Sequence, residues 1–437
     1  MSFVIVILSL VVLIVLISYF KVDAFLSFLI VSIGAGIALG VPLNRLPLTI
    51  DTGLGNIMGS LTLILVLGAM LGKLVAVSGA ASKIASVMVN LFGTKYIQWG
   101  LMVTGFVVGI PLFYNIGFVL FVPLIFTVVN QYKLPAVYIG LPMLAALSVM
   151  HGYLPPHPSP TALVQMFGAN MGMTLILGIC VAIPAILIAG PLFSKTLKNI
   201  KANPITLFTD KGSSEQFRTP GTLNSIISAT LPVFMLILVT LLPTCFPAIE
   251  GSPLLVFIGA PSIVMFIALI VATYTLGLKQ GRSMKDVIGI YVDAAKEIVM
   301  ILLIIAGAGI FKQVMDESGI SNQLADILQQ LPLHPLILGW LIAALIRLCI
   351  GSATVAAITA GGVIMPLIAL SGVHPSLMVL SIGAGSLFFS HVNDGGFWMF
   401  KEYFGLSLKD TFRSWSVMET IVSVAGLGGT LLLSIFM

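Results

Sequence analysis

The 437-residue chain is 59% hydrophobic and only 8% charged, with a formal net charge of +5. A soluble domain carries roughly 25% charged residues, so the composition excludes a water-exposed globular fold and predicts an all-α polytopic membrane protein. The basic residues fall in short loops, where membrane topology uses them, and do not point to nucleic acid. Cys180, Cys245 and Cys349 show neither metal-ligand spacing nor pairing and read as packing residues.

The first apolar stretch, Phe3 to Phe20, has no basic residue before it and no Ala-x-Ala site after it, so it reads as a retained helix rather than a signal peptide. Further crossings are predicted at 25–41, 58–75, 134–150 and 172–193. Between the third and fourth lies a re-entrant hairpin, roughly Gln98 to Asn130, whose ends carry Lys95 and Lys133. The fourth crossing runs into an irregular segment, His151 to Thr161, with four prolines. A long polar linker follows, Lys198 to Pro220, and reads as cytoplasmic. The second part of the chain has the same order, with a hairpin from about Pro335 to Leu370 and a polar break at Ser390 to Gly396.

The two parts also match residue by residue at an offset between 237 and 243. Gly68-Ala69 and Lys73 pair with Gly307-Ala308 and Lys312, Ser78-Gly79 with Ser318-Gly319, Pro135 with Pro375, His151 with His391, and Phe167-Gly168 with Phe404-Gly405. We therefore divide the chain into a first repeat, 1–197, a linker, 198–221, and a second repeat, 222–437, each with about five crossings, a re-entrant hairpin and a broken helix. Charge assigns them opposite orientations. Lys73, Lys83 and Lys95 follow the third helix of the first repeat, whereas Asp316, Glu317 and Asp326 follow that of the second. The loop after the first helix shows the same bias, Lys21 against Glu250. The loop after the second helix (Arg45 against Lys279, Arg282 and Lys285) and the stretch before the last (none against Lys409 and Arg413) reverse it, as opposite sides of the membrane require. Inverted repeats are a common plan of secondary transporters.

Four irregular segments thus interrupt apolar sequence: hairpin tips at Gly109 to Gly117 and Gly351 to Thr354, and the two breaks. Gly and Pro free backbone N–H and C=O groups there, which bilayer depth tolerates only against a cavity or ligand. A half-helix N-terminus carries partial positive charge and suits a carboxylate. Two tips facing two broken helices make one central site, which is the physical argument for transport.

The runs Gly117 to Val128 (GFVLFVPLIFTV), Leu147 to Ala162 (LSVMHGYLPPHPSPTA), Gly351 to Gly362 (GSATVAAITAGG) and Ser390 to Phe404 (SHVNDGGFWMFKEYF) resemble the gluconate permease family over nearly the whole chain. The resemblance implies a bacterial inner-membrane symporter that takes up gluconate, idonate or related hydroxy acids with a proton, and kinship with the larger ion-transporter superfamily. Two positions depart from the family pattern. Tyr114-Asn115-Ile116-Gly117 stands where relatives often carry phenylalanine-glutamate-valine-glycine, so Asn115 cannot carry a proton that such a glutamate would. Ser159 stands where glycine is usual.

The candidate substrate-binding residues are Tyr114, Asn115, His157, Ser159, Thr161, Arg347, Ser352, Thr354 and Asn393. Those for proton coupling are Asp394, His151 and His391. Between Asp51 and Asp210 there is no acidic residue, so a carrier in the first repeat must be histidine, while the second offers Asp394, Glu402 and Glu419. Ionisable residues in a span default to a functional reading with a partner. For Asp394 the partners weighed are His391 and His157, against simple capping of the following half-helix. His151 and His391 equally suit backbone carbonyls at the breaks. Arg347, in an apolar hairpin arm, costs about 2.5–3.5 kcal/mol at mid-bilayer and calls for the anionic substrate or a carboxylate such as Asp394. Ser and Thr often only join helices. Lys73 and Lys312 read as snorkelling, and Trp99, Trp340, Trp398 and Trp415 as interfacial anchors.

A channel would call for rings of charge or repeated carbonyl loops, and an intramembrane enzyme for His-Glu-x-x-His, Gly-x-Ser-x-Gly or a P-loop; none occurs. The chain reads as a non-enzymatic, cofactor-free carrier of a sugar acid. The alternatives are another small organic anion or D-serine, sodium as coupling ion, and a homo-oligomeric state.

Overall fold

A computed structural model describes residues 2–93, 95–112, 114–202, 218–249, 251–320, 333–392 and 394–437. Every regular element among them is helical, and seven helices are long and apolar enough to cross a membrane. The elements in order are α1 (Ser2–Ser18), α2 (Ala24–Ala38), α3 (Leu46–Val77), α4 (Ala80–Phe92), α5 (Ile97–Gly109), α6 (Tyr114–Tyr132), α7 (Ala136–Tyr153), α8 (Pro158–Phe167) and α9 (Met171–Leu197). After the linker come α10 (Thr222–Cys245), α11 (Pro253–Gly259), α12 (Pro261–Gln280), α13 (Met284–Glu317), α14 (Pro335–Ile350), α15 (Ala353–Ser371), α16 (Pro375–Gly385), α17 (Gly395–Phe404) and α18 (Leu408–Ser434).

The positions that match in sequence also do the same local work. Ser78 and Ser318 cap the C-termini of α3 and α13, each followed by a glycine at positive φ (Gly79, 80°; Gly319, 70°). Gly168 and Gly405 close α8 and α17 in the left-handed conformation, at 62° and 59°.

The longest helices, α3 and α13, pack along each other and run antiparallel. Arg45 Nη1 lies 3.4 Å from Glu317 Oε1 at one end, and Lys73 Nζ lies 2.5 Å from Glu297 Oε1 towards the other. Between them Gly53 and Gly309 bring the backbones together: a Cβ on Gly53 would sit 2.7 Å from the Gly309 oxygen. Small residues drive such contacts in lipid, where burying apolar surface gives little. Hydroxyls on the spans satisfy themselves locally, as Thr62, Thr230, Thr240 and Thr430 donate to carbonyls four residues back. Large apolar side chains such as Ile30, Phe234, Phe266 and Val424 face outward, towards lipid. α7 and α8 form the buried centre.

Several boundaries differ from the sequence reading. The third crossing begins at Leu46, not 58: the polar Asp51 and Asn56 lie on one continuous 32-residue helix. Its length of about 48 Å exceeds the hydrocarbon thickness. The amphipathic α4 was not anticipated. The three cysteines are exposed rather than packed inside. Lys73 is paired with Glu297, and Lys312 lies 3.4 Å from Asp316. Asp326, Lys211 and most of the linker lie outside the described residues.

Candidate functional site

The two hairpins, α5–α6 and α14–α15, and the two broken helices, α7–α8 and α16–α17, turn where Gly and Pro require it. The chain leaves α7 at Leu154 through Pro155-Pro156, joined by a cis peptide bond, and restarts at Pro158, the first residue of α8. Gly351 closes α14 at φ 78°, a conformation that suits glycine. Ser352 then caps α15, its Oγ accepting from the Val355 N–H at 3.4 Å. Gly72 lets the first tip seat on α3, since a Cβ there would lie 2.2 Å from the Pro111 oxygen.

These turns point four helix N-termini into one cavity of about 300 Å³. Its wall includes Tyr114 at the start of α6, Pro158 of α8, Ala353 and Thr354 of α15, and Gly395 and Gly396 of α17. Each N-terminus contributes partial positive charge. Ser148 and His151 of α7, Ile301 and Ile304 of α13, Arg347, Ser352, Leu387, Asp394, Trp415 and Glu419 complete it. A larger opening of about 800 Å³, near the ends of α8, α14, α15 and α16, has no Asp, Glu, Lys or Arg side chain among the described residues of its lining, and its His334 and His374 are engaged in helix capping. We therefore place the chemistry in the smaller cavity.

The cavity's charges are tightly arranged. Arg347, 3% exposed, donates through Nη2 to Asp394 Oδ2, which also accepts from Ser390 Oγ. Asp394 Oδ1 accepts from the Gly396 N–H at 3.0 Å and so caps α17. Trp415, 1% exposed, donates its indole N–H to Ser390 Oγ at 2.8 Å and stacks on Phe400. Thr354 Oγ1 lies 3.4 Å from His151 Nε2, and the Tyr114 ring packs against His151 and Trp415. Nε and Nη1 of Arg347, the Tyr114 hydroxyl and Nδ1 of His151 are buried and have no hydrogen-bond partner among the described residues. Buried polar groups are normally satisfied, so these groups are available to a polar solute or to water in the cavity.

The structure brings Tyr114, His151, Arg347, Ser352, Thr354 and Asp394 together. His157 stands behind that wall, Nε2 3.0 Å from the Gly109 carbonyl, with Ser159 Oγ 3.4 Å from the His151 carbonyl and Thr161 buried nearby on α8. His391 sits 3.1 Å from the Leu348 carbonyl, apart from the cavity lining. Asn393 and the Asn115 side chain lie outside the described residues. Asp394 pairs with Arg347 rather than with either histidine weighed for it, and its carboxylate caps α17.

The sequence matches the GntP family permease family over residues 1–436. The chain belongs to the GntP family of permeases. Among curated relatives of this permease, a high-affinity gluconate transporter of Escherichia coli is 45% identical, with 99% of each chain covered. A gluconate permease of Bacillus subtilis is 45% identical over the whole of both chains, and the Gnt-II system L-idonate transporter of Escherichia coli is 44% identical over 94% of each. The fold resembles the solved YdaH transporter of Alcanivorax borkumensis, with a TM-score of 0.68 at 19% identity, covering 94% of this chain and 97% of that one. The permease is a transporter rather than an enzyme, a multi-pass protein of the bacterial inner membrane.

Sequence reasoning missed three cavity features of the permease. Ser148 lies mid-helix with no break beside it, and Glu419 stood out only as one acidic residue among several. Trp415, read as an interfacial anchor, is instead buried because Ser390 supplies its acceptor. Glu402, weighed with Glu419, is exposed and paired with Lys401.

Proposed function

We propose that this permease imports gluconate or a closely related sugar acid together with a proton. The observation that carries the reading is the convergence of four helix N-termini and the buried Arg347 on one cavity. That field suits a carboxylate, and the Tyr114, Ser352 and Thr354 hydroxyls around it suit a polyol chain. Relatives named for gluconate and for L-idonate support a six-carbon hydroxy acid. Arg347 and the helix ends hold the carboxylate, with Asp394 setting the arginine's position. A co-transported cation offsets the cost of bringing an anion in against an inside-negative potential, and we read that cation as a proton.

We also read 1–197 and 222–437 as inverted copies joined by the linker 198–221. Antiparallel packing of α3 against α13, whose sequences match, supports this.

Uptake by proteoliposomes tests the reading. Labelled gluconate should accumulate under an imposed inward proton gradient without sodium, and unlabelled idonate should compete better than citrate or D-serine. Accumulation that needs sodium, or preference for citrate or D-serine, would overturn it.

A further inference from the structure

The cavity's two carboxylates are not equivalent. Asp394 accepts from three donors, Arg347, Ser390 and the Gly396 N–H. Glu419, 3% exposed on α18, accepts only the Ser148 hydroxyl at 2.9 Å and forms no ion pair among the described residues.

We infer that Glu419 is the proton-carrying residue of this permease, loaded when the sugar-acid anion binds and unloaded when it leaves; this rests on the proposed symport of a sugar acid. With Arg347 charged and both carboxylates ionised, the cavity holds one net negative charge. An arriving anion would make two, and burying unpaired charge is costly, so the anion and an ionised Glu419 exclude each other. A proton from water on the loading side, bonded to a Glu419 oxygen, removes the conflict. On the other side that O–H bond breaks, the proton returns to water, and the substrate is chemically unchanged. The linkage is reciprocal: substrate raises the proton affinity of the site, and protons raise its substrate affinity.

Other titratable groups around Glu419 are Arg347 and Asp394, fixed on each other, His151 and Tyr153 of α7, and Tyr114 of α6. α16 and the 171–187 part of α9, which also pack on α18, bring no charged side chain. His151 is therefore the rival carrier.

The purified permease tests the inference, in weakly buffered detergent for proton uptake and binding, with gluconate as the probe and a pH indicator as the readout, and in proteoliposomes for counterflow and accumulation. Wild type should take up protons on binding gluconate, and above the site's pKa its affinity should fall about tenfold per pH unit. E419Q should still bind gluconate and exchange it in counterflow, without proton uptake, without that pH dependence and without gradient-driven accumulation. E419D should restore proton uptake in part. Undiminished proton uptake in E419Q, or its loss in H151Q alone, would overturn the assignment. So would loss of binding and counterflow in E419Q, which would make the carboxylate a binding or folding element. Failure of the wild type itself to accumulate gluconate would refute the underlying symport reading instead.

Discussion

The Arg347–Asp394 pair can be tested as a thermodynamic unit. Arg347 is 3% exposed and Asp394 18%, and removing one partner of a buried pair costs about 3–5 kcal/mol because the other charge is left without compensation. D394N should sit within that range: its amide oxygen can still cap α17, so most of the loss is the stranded guanidinium. R347M should fall near the lower end, since Ser390 and the Gly396 N–H remain on the carboxylate. The double variant, R347M with D394N, removes both charges and should be far less destabilised than the sum of the singles, leaving a coupling of about 3 kcal/mol. Equilibrium unfolding of the purified permease in mixed micelles with increasing dodecyl sulfate gives the four free energies. The double variant should also stay folded yet fail to bind gluconate, because the cation is gone. Additivity within about 0.5 kcal/mol would refute the reasoning, since two charges in direct contact cannot be energetically independent.

On the α3–α13 seam, G53A would place a Cβ 2.7 Å from the Gly309 oxygen and 2.8 Å from Gln313 Cβ and Ile310 Cα. It should lose about 1–3 kcal/mol by overpacking, while G34A, with no atom within 4 Å, should be neutral or slightly stabilised; equal effects in the same unfolding assay would argue against the seam. The inverted arrangement is tested by single cysteines at Val77 and Glu317, the matching ends of α3 and α13, in a background lacking the native cysteines. A membrane-impermeant maleimide applied to intact cells should modify one and spare the other, and modification of both would refute it.

What the sequence disclosed follows from how strongly each feature violates bilayer rules. Pro155 and Pro156 follow the end of one helix, and Pro158 and the Gly395-Gly396 pair open the next, where lipid demands continuous hydrogen bonding, so both breaks were legible. Arg347 was legible for the same reason, as a cation in an apolar arm. Its partner was legible only as one of two candidates, the anionic substrate or Asp394, because 47 residues separate the pair and only the fold brings them into contact. Ser148 and Glu419 are 271 residues apart; Ser148 alone looks like an ordinary helical residue and Glu419 was one of three acidic candidates, so only the fold brings them into contact. Trp415 misled because indoles usually favour the interface, and its buried acceptor, Ser390, belongs to a different element. The start of α3 was misplaced because Asp51 and Asn56 are polar without breaking the helix.

The Gly53–Gly309 approach also limits how a carrier of this shape can work. Backbone nests against backbone there, with an ion pair towards each end and Ile57 and Gln313 crowded beside the two glycines, so a slide of α3 past α13 would break this fit. The two longest helices thus behave as a clamped axle, and rearrangement that exposes the solute first to one compartment and then to the other must be absorbed by the short, Gly- and Pro-jointed pieces hung around it.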